Sequence, residues 1–196
     1  MESSYSINSL SHNFLLIILL LLTSSINLTT CKKTNVEFIR TSCGFTTYPT
    51  LCFNSLSRRA SVIQTSPKLL AQTALSVTLD TTRTTSSSMV KLSKVHGMTP
   101  LEVAAMKDCI EVLSDSVYEL QRSLGEMIRP GSKKFRLVMS DIQTWVSSAL
   151  TDEDTCSEGF KNDPKMKSVV RGKIVNVAHL TSNALALINS YASLNR

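Results

Sequence analysis

The chain has 196 residues, 42% of them apolar and 18% charged, with five cysteines, six glycines, five prolines and a formal net charge of +6. That length allows one domain with a sizeable core, and the scarcity of glycine, proline and aromatic residues points to an all-α fold. The basic residues are not interleaved with stacking aromatics, which argues against a nucleic-acid partner.

Phe14 to Leu22 is an unbroken apolar run followed by Thr23, Ser24 and Ser25. It is far shorter than the about 20 residues a bilayer requires and fits the apolar core of an export signal. The absence of Lys and Arg before it is atypical of such signals. The expected organisation is a signal peptide over 1–25, a flexible N-terminal segment over 26–33 and one domain over 34–196. No second apolar span follows, so the expectation is a secreted chain with no membrane attachment after cleavage. Losing Glu2 and no base raises the formal charge to +7, which suits polyanions or acidic protein surfaces. Asn27-Leu28-Thr29 is the one N-glycosylation sequon, making Asn27 a candidate acceptor. Cys31 precedes the fold and is expected to be free or removed.

Residues 34–60 read as small helices folded back by the turn Gly44–Pro49. Ser66-Pro67 then opens a helix reaching about Val95, with a weak apolar face because Thr81 to Ser88 is almost entirely Thr and Ser. Thr99-Pro100 supplies an N-cap and a first-turn proline, and Glu102 completes a capping box. From there Val103, Met106, Ile110, Leu113, Val117, Leu120, Leu124 and Met127 follow a heptad stripe, and Pro130-Gly131 ends it. A second stripe runs Phe135, Val138, Ile142, Trp145, Ala149 and Cys156. The last opens at Asp163-Pro164 and runs Val170, Ile174, Val177, Thr181, Ala184, Ile188 and Tyr191.

Four long helices with short Pro- or Gly-marked connections predict an up-down-up-down bundle, each antiparallel to the next, rather than a coiled-coil oligomer. The expected state is a monomer. Trp145, Ile110, Leu113, Val117, Val177 and Ile188 are expected to be largely buried. Measured from the Pro130 turn, Cys109 and Cys156 differ in height by only about 6 Å, close enough for small loop shifts to allow bridging; Cys43 and Cys52 can then pair locally.

Nothing in the chain assembles into a catalytic, cofactor or metal signature. His12, His96 and His179 sit in no nucleophile elbow or HExxH pattern, and His96 and His179 read as surface residues. There is no C-x-x-C pair, and Asp152-Glu153-Asp154 lacks the glycine of a calcium loop, having Ser157 there. The acidic run reads as an exposed helical face. Basic clusters lie at Arg129–Arg136 and Lys161–Lys173.

Ile39-x-x-x-Cys43-x-x-Thr46-x-Tyr48-Pro49-x-x-Cys52-x-x-x-Leu56 resembles the opening signature of the plant invertase and pectin methylesterase inhibitors. Asp108-Cys109-x-Glu111 is similar to their second motif, Thr144 to Thr151 with Thr155-Cys156 and Gly159-Phe160 to the third, and Leu180 to Leu187 to the last. The resemblance implies a four-helix bundle with an N-terminal helical hairpin, disulfides Cys43–Cys52 and Cys109–Cys156, and no catalysis. It further implies a non-covalent one-to-one complex that covers the substrate cleft of an extracellular carbohydrate-active enzyme. The third and fourth motifs are worded like those of pectin methylesterase inhibitors. Invertase inhibitors typically carry Pro-Lys-Phe before the third motif, where this chain has Lys133-Lys134-Phe135.

The leading expectation is therefore a secreted pectin methylesterase inhibitor, ahead of an invertase inhibitor and of a non-inhibitory pectin-binding wall protein. The chain ends before any esterase domain, so a free inhibitor is expected. Its contact face is expected on the two central bundle helices, with Gln143, Thr144 and Ser147 hydrogen-bonding the enzyme and Lys133 and Lys134 steering toward an acidic rim.

Overall fold

The computed structural model describes residues 33–129, 134–160 and 164–194. The expected signal peptide, Asn27, Cys31 and Lys133 lie outside the described residues. Helix α1 spans 33–43, followed by α2 (Pro49–Leu56), a 3₁₀ turn (Ser57–Arg59) and α3 (Ala60–Ile63). The four long helices are α4 (Pro67–Leu92), α5 (Pro100–Ile128), α6 (Phe135–Glu158) and α7 (Pro164–Ser193).

Local chemistry sets the helix starts. Ser66 accepts from the Leu69 amide at 3.3 Å ahead of Pro67. Thr99 and Glu102 form the reciprocal capping box, satisfying amides that the first turn leaves without helical partners. Gly97, at φ +93, turns the chain between α4 and α5 in a backbone region that glycine enters without a Cβ clash. Each long helix packs on its chain neighbour, and α7 returns to pack on α4, closing the ring. The hairpin of α1 and α2 lies on the α4–α7 side through α2, opposite the side formed by α5 and α6.

The heptad period holds, but its phase differs from the expected stripes. On α5, Met106, Leu113, Leu120 and Met127 are buried, alternating with Cys109, Ser116 and Ser123. Ile110 and Val117 are only half-buried and Val103 is exposed, contrary to the expected stripe. Small residues on the seam let α5 and α6 approach closely, and the larger Ile110, Val117 and Leu124 ride on its flank. On α6 the buried line is Met139, Ile142, Val146, Ala149, Glu153 and Cys156. Trp145 is therefore not a core residue: Val146 takes the inward position and Trp145 stands half-buried beside it. Leu113, Val177 and Ile188 are fully buried as expected. The Thr/Ser-rich helix forms as well, because the hydroxyls of Thr78 and Thr82 bond back to the carbonyls of Ala74 and Thr78 at 2.9 Å while fully buried.

Two disulfides brace this frame. Cys43 and Cys52 close the hairpin with Cα atoms 5.6 Å apart. Cys109 and Cys156 join α5 to α6 with Cα atoms 4.2 Å apart.

Candidate partner-binding surface

The polar residues expected to contact a partner lie along α6. Gln143 donates from Nε2 to Asn189 Oδ1 at 2.7 Å, so it points toward α7 and not toward α5. Thr144 is exposed and returns its hydroxyl to the Ser140 carbonyl at 2.9 Å. Ser147 is exposed one turn on. Lys134 is the exposed N-cap of α6, whose first turn carries no acidic residue. Gln143 thus lies on the α7-facing edge of α6, and Thr144, Ser147 and Lys134 are exposed on the same helix.

The α5-facing edge of α6 carries a feature the sequence reading missed. The Arg122 guanidinium lies 4.0 Å from the centroid of the Trp145 ring, an exposed cation–π contact between α5 and α6. Together α5 and α6 with their flanking residues (100–129 and 134–158) hold eleven Asp and Glu against five Lys and Arg. Asp152 is raised to about 6, first by burial and then by Glu119 and Asp115 of α5.

Glu153 corrects the expectation of an exposed acidic face. Its side chain is fully buried, and Oε1 accepts from Ser116 on α5 and Thr181 on α7, each at 2.9 Å. Burial pushes this carboxyl up from 4.5 to about 8; the bonds from Thr181 and Ser116 pull it down, and Asp154 and Asp152 add to the rise. At neutral pH it is held mainly as the uncharged acid, which is how a bundle core accommodates it.

His179 is likewise not a free surface residue. It is half-buried and stacks on Tyr48 with ring centroids 3.6 Å apart, and burial lowers its pKa against the opposing pull of Asp154. Tyr48 is pinned by Asn183, which accepts from the Tyr48 amide at 2.9 Å and donates to its carbonyl at 3.0 Å. The hairpin tip thereby borders a groove of about 480 Å³ lined by Asp154, Arg171, His179 and Ser182. Among the described residues no group of three potential metal ligands comes together, and no helix is long and apolar enough to cross a membrane.

A helical ring braced by these two disulfides is the frame implied by the sequence motifs, and residues 37–187 match the family described as plant invertase/pectin methylesterase inhibitor. The chain belongs to the plant invertase/pectin methylesterase inhibitor family. Within it, the chain is 48% identical over 166 residues to Pectinesterase inhibitor 10 of Arabidopsis thaliana, covering 83% of this chain and 53% of that one. The chain thus spans about half the length of that relative. It is 45% identical to Pectinesterase inhibitor 11 of the same plant over 82% of this chain and 83% of the relative. It is also 45% identical to a 21 kDa protein of Daucus carota, over 82% and 86%. The bundle matches the crystal structure of a mutant form of an Arabidopsis pectin methylesterase inhibitor with a TM-score of 0.62 at 20% identity, over 75% of this chain and 92% of that one. That likeness establishes the family's bundle fold.

Proposed function

We propose that this chain is a secreted proteinaceous inhibitor of pectin methylesterase. It acts by forming a non-covalent one-to-one complex that covers the enzyme's substrate cleft and restrains pectin de-esterification in the cell wall. The observation that carries this reading is the identity of 45–48% with relatives named pectinesterase inhibitor, over more than four-fifths of this chain. In this reading residues 1–25 direct export and are removed, 26–33 form a flexible lead, and 34–196 are the inhibitor domain, monomeric until it meets its target.

The contact surface is centred on α6. Trp145 and Arg122 are of the residue types that dominate binding energy at interfaces, and their stack, with Trp145 half-buried and Arg122 exposed, holds both in place before the partner arrives. Thr144 and Ser147 extend the surface along the exposed ridge of α6, with Gln143 at its α7 edge. Two disulfides leave little backbone to order on binding, so complementarity appears largely as affinity. The excess of carboxylates on α5 and α6 suits a cationic rim on the enzyme, and it outweighs Lys133 and Lys134 as the steering charge.

The esterase is favoured over invertase by Phe135. Its ring packs edge-on against Tyr191 of α7 with centroids 5.5 Å apart, so it is held against the bundle rather than offered for insertion into another protein's site. The test is to assay the purified, oxidised protein against a pectin methylesterase and an acid invertase side by side. Loss of esterase activity alone supports the proposal; loss of invertase activity alone overturns it.

A further inference from the structure

Charge is divided between the two sides of the bundle. The segments forming the hairpin, α4 and α7 (residues 33–99 and 164–194) hold twelve Lys and Arg against only two carboxylates, Glu37 and Asp80. Glu37 is already engaged by Arg40 at 3.6 Å. The α5 and α6 segments carry the opposite excess, and the hairpin packs on the α4–α7 side, away from them. The fold therefore turns a modest net charge into a bundle with one acidic and one basic side.

The basic side chains fall in two groups. Arg58 and Arg59 stand exposed in the 3₁₀ turn that follows α2, with α3 between them and α4. Lys91 and Lys94 stand exposed where α4 ends. Between the two groups runs α4, whose 26 residues span about 39 Å at 1.5 Å per residue. A small anion reaches one group only. An extended polyanion reaches both, and each added contact gains from the same field.

We infer that the hairpin–α4–α7 side binds a linear polyuronate, the carboxylate-bearing polymer left when methyl esters of pectin are hydrolysed. Each hydrolysis consumes one water and releases methanol and a proton, leaving a carboxylate on the chain. The polymer thus becomes a ligand for this side only where de-esterification has proceeded. Docking of the enzyme on the α6-centred side leaves the basic side open, so the inhibitor is held on the product of the reaction it restrains. The binding rests on this chain's own charges; the source of the polymer rests on the proposed function.

The test measures binding of the oxidised full domain to polygalacturonate and to fully methyl-esterified pectin, with no enzyme present. The expected result is binding to polygalacturonate alone, abolished at about 1 M salt, where charges are screened beyond about 3 Å. Arg58→Glu/Arg59→Glu and Lys91→Glu/Lys94→Glu, each with the parent's melting temperature, weaken it by at least about tenfold and leave esterase inhibition unchanged. Equal binding of both polymers, or parent-like affinity in both double variants, overturns the inference. A parent that binds polygalacturonate but inhibits no esterase removes the inhibitor reading and leaves this one standing.

Discussion

Ser116 on α5 donates a hydrogen bond to Glu153 on α6 at 2.9 Å, and both side chains are closed off from solvent. With Thr181 of α7 bonding the same oxygen, one carboxyl ties three helices together. Its partner oxygen Oε2 is buried without a hydrogen-bond partner. The arrangement tolerates the neutral acid far better than a carboxylate.

This sets a pH dependence of stability. The folded pKa of Glu153 is about 8, above its ordinary 4.5. Between those values the unfolded chain has released a proton that the folded one retains, so stability falls as pH rises. Asp152, raised from 3.8 to about 6, acts in the same direction over a narrower window. Thermal melts should therefore show the melting temperature dropping from pH 5 to pH 8. Glu153→Gln should flatten most of that drop, because the amide oxygen still accepts from Ser116 and Thr181 and carries no charge. A flat profile in the parent would contradict the assignment.

Trp145→Ala should cost about 1–2 kcal/mol, less than the ~3–5 kcal/mol of a fully buried aromatic, because the ring is half-exposed beneath Arg122. Its larger effect should fall on binding, with inhibition of the esterase weakened by at least about tenfold, as expected for a central aromatic anchor. Arg122→Ala should weaken inhibition in the same direction. Melting curves and inhibition constants measured together separate the two effects. A variant that loses the fold but not affinity per folded molecule would return Trp145 to a purely structural role.

Asn183→Ala removes both hydrogen bonds that hold Tyr48 on α7. The expected loss is about 1–3 kcal/mol, chiefly the cost of stranding the Tyr48 amide, since its carbonyl still accepts from the Cys52 amide at 3.0 Å. Hydrogen exchange should quicken in the hairpin before it quickens in α5 or α6. Uniform protection across the variant would show that the hairpin is held by contacts other than those of Asn183, among them the Tyr48–His179 stack.

The two disulfides should differ in weight. On the chain-entropy account, the local Cys43–Cys52 bridge stabilises by roughly 2.7 kcal/mol and the Cys109–Cys156 bridge by roughly 4 kcal/mol, since the second closes the longer loop. Paired Cys→Ser variants, melted under identical conditions, should keep that order.

Much of this architecture was legible because it is local or periodic. The caps at Ser66 and Thr99 act over three residues, and a stripe recurring every three and four residues identifies a helix wherever its phase falls. The phase was harder to read. Residues 145 and 146 both lie at helical spacing from Ile142, and only packing in the shared core decides that Val146 turns inward. Glu153 was read as exposed because its two hydroxyl partners are 37 and 28 residues away in sequence. The Arg122–Trp145 stack was missed for the same reason: nothing in either helix alone marks the two side chains as neighbours.

The most direct test of the account is a titration of the oxidised protein into a pectin methylesterase at fixed concentration, followed by residual activity. The account predicts activity falling to an endpoint at one inhibitor per enzyme, with Trp145→Ala shifting the curve to higher concentration. Undiminished esterase activity at a several-fold molar excess of folded protein would contradict it.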